Sequence, residues 1–344
     1  MNLKKTVICK GLTDYKINRK IKKVYMPAAG DLAVFKIIEI GKHSSVQGVN
    51  GNNCYIFPGD YIMAAFGNRY ATDQFEGYVP TSFQRRYQIL GKGGAIGTIA
   101  SMHAKLEDKG TTEVQLIGYV TDKEGQVINS KYLNQEPKVF NKNAPRNYDI
   151  ILSLGAAMDS GKTTSAAFLC RGLRAAKKKV AYVKLTGTVY TKDRHFARDC
   201  GAHRSVDFSN FGFPSTYMCS LPELLNLHES LLALTEEISP DYVVIEIADG
   251  LLQRETKMLL ENRAFMNQVS QVIFSAGDSL GVLSGLNILR DLGAAPFAVS
   301  GLFTASPLLV NEVENTINIP VLTLDKLSHP DVAKLLETQL VVAA

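Results

Sequence analysis

The 344-residue sequence predicts an α/β protein: a C-terminal parallel-sheet domain built on a phosphate-binding loop, preceded by a mainly-β domain of small-barrel or sandwich type. Three observations predict it. Gly155-Ala156-Ala157-Met158-Asp159-Ser160-Gly161-Lys162-Thr163 satisfies G-x-x-x-x-G-K-[ST] in full, between a strand-like run and a helix-like run. Beyond it, strand and helix signals alternate, the rhythm of a parallel sheet with crossover helices. Before it, short apolar runs are punctuated by Gly, Asn and Asp turns.

The N-terminal half, residues 1–140, carries strand candidates at Val24–Met26, 32–40, 61–66 and 114–120, with Tyr55–Asp60 reading as strand then turn. Gly91-Lys92-Gly93-Gly94-Ala95-Ile96-Gly97 is glycine-rich enough either for a close barrel turn or for an anion-cradling nest, and the turn is the plainer reading. The polar stretch 134–147, with Pro137 and Pro145, reads as a linker.

The C-terminal domain, 148–344, is expected to run as strand 148–154, helix 162–177, strand 180–185, helix 221–236, strand 241–247, helix 256–268, strand 270–276, helix 281–291, strand 296–301, helix 307–315 and strand 320–323, with a last helix from Pro330 to Leu340. The region 190–217 shows little apolar periodicity and reads as a long polar loop with a short helix at its ends.

Charge and cysteine content bound the function. Lys and Arg total 38 against 33 Asp and Glu, a net +5 that suits an anionic ligand and makes no case for nucleic acid. The five cysteines are odd in number and widely spaced, so a reducing, cytoplasmic setting is expected rather than a disulfide framework. No run of eighteen apolar residues suggests a membrane span, and the first residues lack a signal-peptide pattern. Cys200, His203 and Cys219 make too irregular a set for zinc.

The phosphate loop assigns chemistry residue by residue. Gly155 and Gly161 let the backbone wrap around phosphate oxygens, and amides from Ser160 to Thr164 face them at a helix N-terminus. Lys162 is placed for the β and γ phosphates, and the Thr163 hydroxyl for magnesium. Asp159 would be repelled by phosphate and is expected to point outward, toward a water or a substrate. A strand ending in Glu246, followed by Asp249, supplies the acids a metal-nucleotide site needs. Lys184 ends another strand and should point into the same crevice, with Thr186 and Thr188 beside it. The polar loop adds Asp193, Arg194, Arg198, Arg204, Asp207, Ser215 and Thr216 as substrate-gripping candidates.

From Ile150 onward the chain resembles the dethiobiotin synthetase-like (SIMIBI) branch of the P-loop NTPases. The resemblance rests on the phosphate loop, on Lys184-Leu185-Thr186-Gly187, on Val243-Val244-Ile245-Glu246, on Ser275-Ala276-Gly277-Asp278-Ser279-Leu280-Gly281, and on Val299-Ser300-Gly301-Leu302-Phe303-Thr304. It implies ATP and Mg2+ as cofactors, Lys162 and Lys184 on the phosphates, Thr163 and Glu246 on the metal, Gly301 in a base-binding loop, and a homodimer or higher homo-oligomer. The family's Glu-Gly-Ala-Gly-Gly segment is replaced here by Glu246-Ile247-Ala248-Asp249-Gly250, and the first 140 residues match nothing in simple synthetases.

Two functions follow as expectations. One is Mg-ATP-dependent phosphoryl transfer or ligation on a small, anionic metabolite, with Lys162, Lys184, Glu246, Asp159 and Asp249 at the reacting centre. The other is a nucleotide-dependent switch or scaffold with slow ATP hydrolysis. For the base, Thr323-Leu324-Asp325-Lys326 has the wrong order for a guanine-reading N/T-K-x-D motif, which leans the expectation to ATP.

Overall fold

The computed structural model describes residues 3–133 and 135–343. Asn134, first residue of the expected linker, lies outside them, as do Met1 and Asn2 of the stretch read for a leader. The chain forms two compact units. One holds the described residues up to Pro137 together with Gly187–Thr191 and Phe208–Met218; the other holds Lys138–Thr186, Lys192–Asp207 and the described residues from Cys219 onward.

The first unit is mainly β. Its strands are β1 (Leu3–Lys5), β2 (Lys16–Asn18), β3 (Leu32–Glu39), β4 (Ser45–Gln47), β5 (Asn53–Tyr55), β6 (Tyr61–Phe66), β7 (Phe75–Tyr78), β8 (Tyr87–Gly91), β9 (Ala95–Met102) and β10 (Glu113–Thr121). Eight of them form one mixed sheet, in which β6, β3, β10, β8 and β9 follow one another and β9 pairs back to β6. The five strands therefore close on themselves, which removes the exposed edges an open sheet would carry. Inside, Phe35, Phe66 and Tyr87 meet edge to face, with Phe66 5.3 Å from Phe35 and 5.5 Å from Tyr87 between ring centroids.

Two local results in this unit differ from, or sharpen, the sequence reading. The strand expected at Val24–Met26 is instead irregular chain after a single turn at Ile21–Lys23. Pro27 follows it without an amide to donate, and Val24 is exposed, so no neighbouring strand claims it. In the glycine run, Gly93 donates to the Val189 carbonyl at 3.2 Å and Gly94 to that of Gly91 at 3.0 Å. Those amides are spent within the protein, as a close turn requires.

The Gly187–Thr191 and Phe208–Met218 segments pair with each other. Thr188 bridges Ser215, and the Gly187 amide donates to Thr216 Oγ1 at 2.8 Å. Tyr217 donates to Glu76 Oε1 at 2.8 Å, and its ring packs between Tyr70 and Tyr78.

The second unit is a parallel sheet in the order β13–β12–β14–β11–β15–β16, with β11 (Asp149–Gly155), β12 (Val180–Lys184), β13 (Arg204–Asp207), β14 (Tyr242–Glu246), β15 (Gln271–Ser275) and β16 (Ala298–Ser300). Continuous apolar runs such as Val243-Val244-Ile245 are what a sheet buried on both faces demands, and every residue of β14 is buried. The helices are α1 (Lys162–Ala175), α2 (Lys192–Asp199), α3 (Leu221–Ala233), α4 (Arg254–Leu260), α5 (Arg263–Met266), α6 (Ser279–Asp291), α7 (Pro307–Glu314), α8 (Leu324–Ser328) and α9 (Asp331–Ala343). On α1, Ala166, Ala167, Leu169, Cys170 and Leu173 form the apolar stripe that packs on the sheet with Ile151, Tyr182 and Val244. Ser220 and Glu223 close a reciprocal cap at the start of α3.

The polar 190–217 stretch contains α2 and β13, neither of which has a strong apolar pattern; on α2 only Ala197 is buried. The single helix expected at 256–268 is two, because the Asn262 side chain accepts the Phe265 amide at 2.9 Å and starts a new turn. The strand expected at 320–323 is reduced to one bridge, Val321 to Val299, and Thr323 then caps α8. Among the described residues, no helix is long and apolar enough to cross a membrane.

Candidate functional site

Strand register builds the site. Ser153 on β11, Glu246 on β14 and Lys184 on β12 are consecutive partners across three adjacent strands, and Glu246 and Lys184 close their strands at the ends where ligands of parallel sheets bind. The loop from β11 to α1 leaves beside them. Within it Asp159 holds φ +59° and Gly161 φ +93°. Gly161 needs its missing side chain twice over: for that backbone angle, and because an added Cβ would lie 2.9 Å from the Leu302 amide nitrogen. Gly301 answers from the other side. It has φ +111°, and an added Cβ would sit 2.5 Å from the Ser160 carbonyl oxygen. The Leu302 amide donates to that carbonyl at 3.0 Å, so the segment after β16 braces the phosphate loop.

A cavity of about 380 Å³ opens at the start of α1. Asp159, Gly161, Lys162, Thr163, Thr164, Lys184, Asp193, Glu246 and Asp249 line it, so the structure gathers nine of the sequence candidates in one place. Lys162 is buried and donates to the Ala157 carbonyl at 3.1 Å, across the mouth of the loop. Burial pushes its pKa down, against the opposing pull of Glu246 and Asp249. The Ser160 hydroxyl is buried without a hydrogen-bond partner, and Gly155 lies against it.

Glu246 is fully buried and carries three donors. Thr163 Oγ1 donates to Oε1 at 2.8 Å, Lys184 Nζ lies 3.2 Å from the same oxygen, and Tyr182 Oη donates to Oε2 at 2.5 Å. Lys184 also pairs with Asp193 on α2. Burial alone would lower the Lys184 pKa, but the carboxylates of Glu246 and Asp193 outweigh it and the ammonium is held well above its usual range. Tyr182 is raised as well, by burial first and then by the Glu246 charge. Thr186 Oγ1 donates to the Ala248 carbonyl at 2.7 Å and accepts from the Ala248 amide at 2.8 Å, fixing the loop that presents Asp249.

Other candidates lie elsewhere. Arg194 pairs with Asp207 at 3.4 Å, and Arg198 is exposed on the last turn of α2. Thr188, Ser215 and Thr216 belong to the β unit. Sequence reasoning missed Tyr182, although it stands two residues before Lys184 on the same strand and so on the same face. A second cavity of about 430 Å³, sharing Gly161, Thr164 and Leu302 with the first, is lined further by Gly301, Thr304, Thr323 and Asp325. Among the described residues, no three His, Cys, Asp or Glu side chains are grouped to hold a metal ion. A divalent ion at Thr163 and Glu246 would thus take its remaining ligands from water or, with nucleotide bound, from water and phosphate, the usual arrangement for magnesium.

No family model and no curated protein matches the chain. Solved structures do. The signal recognition particle receptor FtsY from Elizabethkingia anophelis is 16% identical over 57% of this chain and 66% of that one, with a TM-score of 0.37. The 54 kDa signal recognition particle protein from Aeropyrum pernix K1, in complex with GDP, is 19% identical over 61% of this chain and 50% of that one, with a TM-score of 0.37. A GTPase in apo form from Pyrococcus abyssi is 17% identical over 58% of this chain and the whole of that one, with a TM-score of 0.34. The chain spans 66% and 59% of the two Elizabethkingia FtsY chains it matches, the second of them in complex with GDP.

These matches correct the dethiobiotin synthetase-like assignment. With it fall the Mg-ATP-dependent kinase or ligase, ATP as the nucleotide, and the small anionic metabolite and homo-oligomer as partners. The physical reason lies in the motifs. A phosphate loop, a lysine at one strand end and a glutamate at the next describe how phosphate and metal are held; they do not specify the base or the phosphoryl acceptor.

Proposed function

We propose that the α/β unit binds a nucleoside di- or triphosphate together with a divalent cation and acts as a nucleotide-dependent switch. The observation that carries this reading is the Thr163 Oγ1–Glu246 Oε1 contact of 2.8 Å, set directly behind a complete phosphate loop. Backbone amides from Ser160 to Thr164 and the Lys162 ammonium would hold the phosphates. Thr163 and Glu246 would hold the cation, which when bound neutralises phosphate charge. The nucleoside would extend past Gly301 and Leu302 into the 430 Å³ cavity. Asp159 and Asp249 face the phosphate cavity, where a carboxylate can orient an attacking water. The pair Arg194–Asp207, together with Arg198, stabilises or flanks the polar segment around α2.

The test is calorimetric titration of the full chain with GDP, GTP, ADP and ATP, with and without Mg2+, alongside Lys162→Ala. GDP and GTP belong in the set because two of the matched structures are GDP complexes. Magnesium-dependent binding of at least one nucleotide, lost in Lys162→Ala, with slow phosphate release that needs no co-substrate, is the expected result. No binding by any of the four removes the proposal.

A further inference from the structure

The Glu246 carboxylate is occupied by a cation that belongs to the protein. Lys184 Nζ is 3.2 Å from Oε1, the same oxygen that receives the Thr163 hydroxyl at 2.8 Å. A magnesium ion bound by these two side chains must sit about 2.1 Å from each oxygen. It would then lie close to the ammonium, two like charges in a buried pocket where water screens them poorly. Thr163 and Lys184 together take both lone pairs of Oε1, and Tyr182, at 2.5 Å, takes one of those on Oε2. A cation on Oε1 would thus compete with the Lys184 ammonium for the same lone pair.

We propose that Lys184 is a resident counter-ion which the divalent cation displaces, and that its departure releases α2 through Asp193. The inference rests on the nucleotide-binding reading above. Lys184 is shared between Glu246 on β14 and Asp193 in the first turn of α2. When the metal takes Glu246, the ammonium swings to the incoming phosphate oxygens. Asp193 then faces phosphate without its cation and is repelled. The first turn of α2 then moves. Lys184 is in this sense a positioning residue: it holds the carboxylate for the metal and reports the metal's arrival.

The test uses Mn2+ alone as probe, its free concentration read by electron paramagnetic resonance, on the full chain without nucleotide. Lys184→Met removes the competitor and should tighten Mn2+ binding by about tenfold or more. Asp193→Asn removes the rival claim on Lys184, commits the ammonium to Glu246, and should weaken Mn2+ binding severalfold. These opposite signs keep the proposal falsifiable if Lys184→Met does not fold. Hydrogen exchange across 192–199 is the second readout. It should rise in the wild-type chain on adding Mn2+ with GTP, and stand already raised in Asp193→Asn. Unchanged or weaker Mn2+ binding in Lys184→Met, or unchanged or tighter binding in Asp193→Asn, overturns the displacement. Unchanged exchange across α2 overturns its release. Failure of the broader reading looks different: the wild-type chain would then bind no nucleotide at all.

Discussion

Tyr182 Oη lies 2.5 Å from Glu246 Oε2, and both side chains are wholly buried. The phenol holds one carboxylate oxygen so that the other faces Thr163. Tyr182→Phe removes this donor and leaves a buried charged acceptor short of a partner, at a cost of about 1–3 kcal/mol in folding stability. Denaturant melts of the two proteins check it. The same variant should also weaken Mg2+-dependent nucleotide binding more than Mg2+-independent binding, since the phenol acts only through the carboxylate.

Gly301→Ala tests the brace on the phosphate loop. Its Cβ would fall 2.5 Å from the Ser160 carbonyl oxygen and 2.6 Å from the Ala276 amide nitrogen, on backbone at φ +111°. Both neighbours are main chain and cannot swing aside. A loss of about 2 kcal/mol or more is expected from strain of this kind. Nucleotide affinity should fall with it. Unaltered melting and affinity would show that the segment after β16 yields easily.

Lys162→Ala separates folding from binding. Burial disfavours the Lys162 charge and outweighs the pull of Glu246 and Asp249, so truncation should leave melting nearly unchanged or slightly improved. Nucleotide binding should drop by about two orders of magnitude or more, as expected when a buried charge-assisted phosphate contact is lost. Paired thermal melts and titrations decide it.

His228 supplies a pH test inside the α/β unit. It packs against Phe265 with ring centroids 4.9 Å apart, and burial pulls its pKa down to about 4, against about 6.5 in an unfolded chain. The unfolded state therefore binds the proton more readily between those values. The neutral histidine's contribution is complete above pH 6.5 and is lost as pH falls toward 4, amounting to about 3 kcal/mol by then. His228→Gln should flatten this part of the stability profile, measured by urea unfolding at a series of pH values. Identical slopes in both proteins would count against it.

The phosphate loop, Lys184 and Glu246 were readable because each sits at a junction that chain rhythm marks: apolar strand, glycine turn, helix. Their meeting follows from parallel register alone. Tyr182 was not readable as part of the site, since a tyrosine within Val180–Val183 looks like any core residue until the strand on which it lies is placed beside Glu246. α2 and β13 were hidden for a different reason. Lys192-Asp193-Arg194-His195 carries almost no apolar signal, and its ion pairs, Asp193 with Lys184 and Arg194 with Asp207, reach the flanking strands. The Gly187–Thr191 and Phe208–Met218 segments carry no compositional mark of belonging to the β unit; long-range pairing, such as Tyr217 with Glu76, decides it.

That last assignment has a consequence for how the protein is made. The β unit draws its final pieces from positions 187–191 and 208–218, after β11, α1 and β12 of the other unit have already been synthesised. On the ribosome, the first 137 residues emerge without Tyr217, one of the donors to Glu76, and without Val189, the acceptor for Gly93, and cannot reach their finished form before the second stretch appears. A gene cut after the polar linker would strand Tyr217 and Val189 on the wrong fragment. The two units are interleaved products of one translation, and neither can be inherited, truncated or transplanted whole by a single breakpoint.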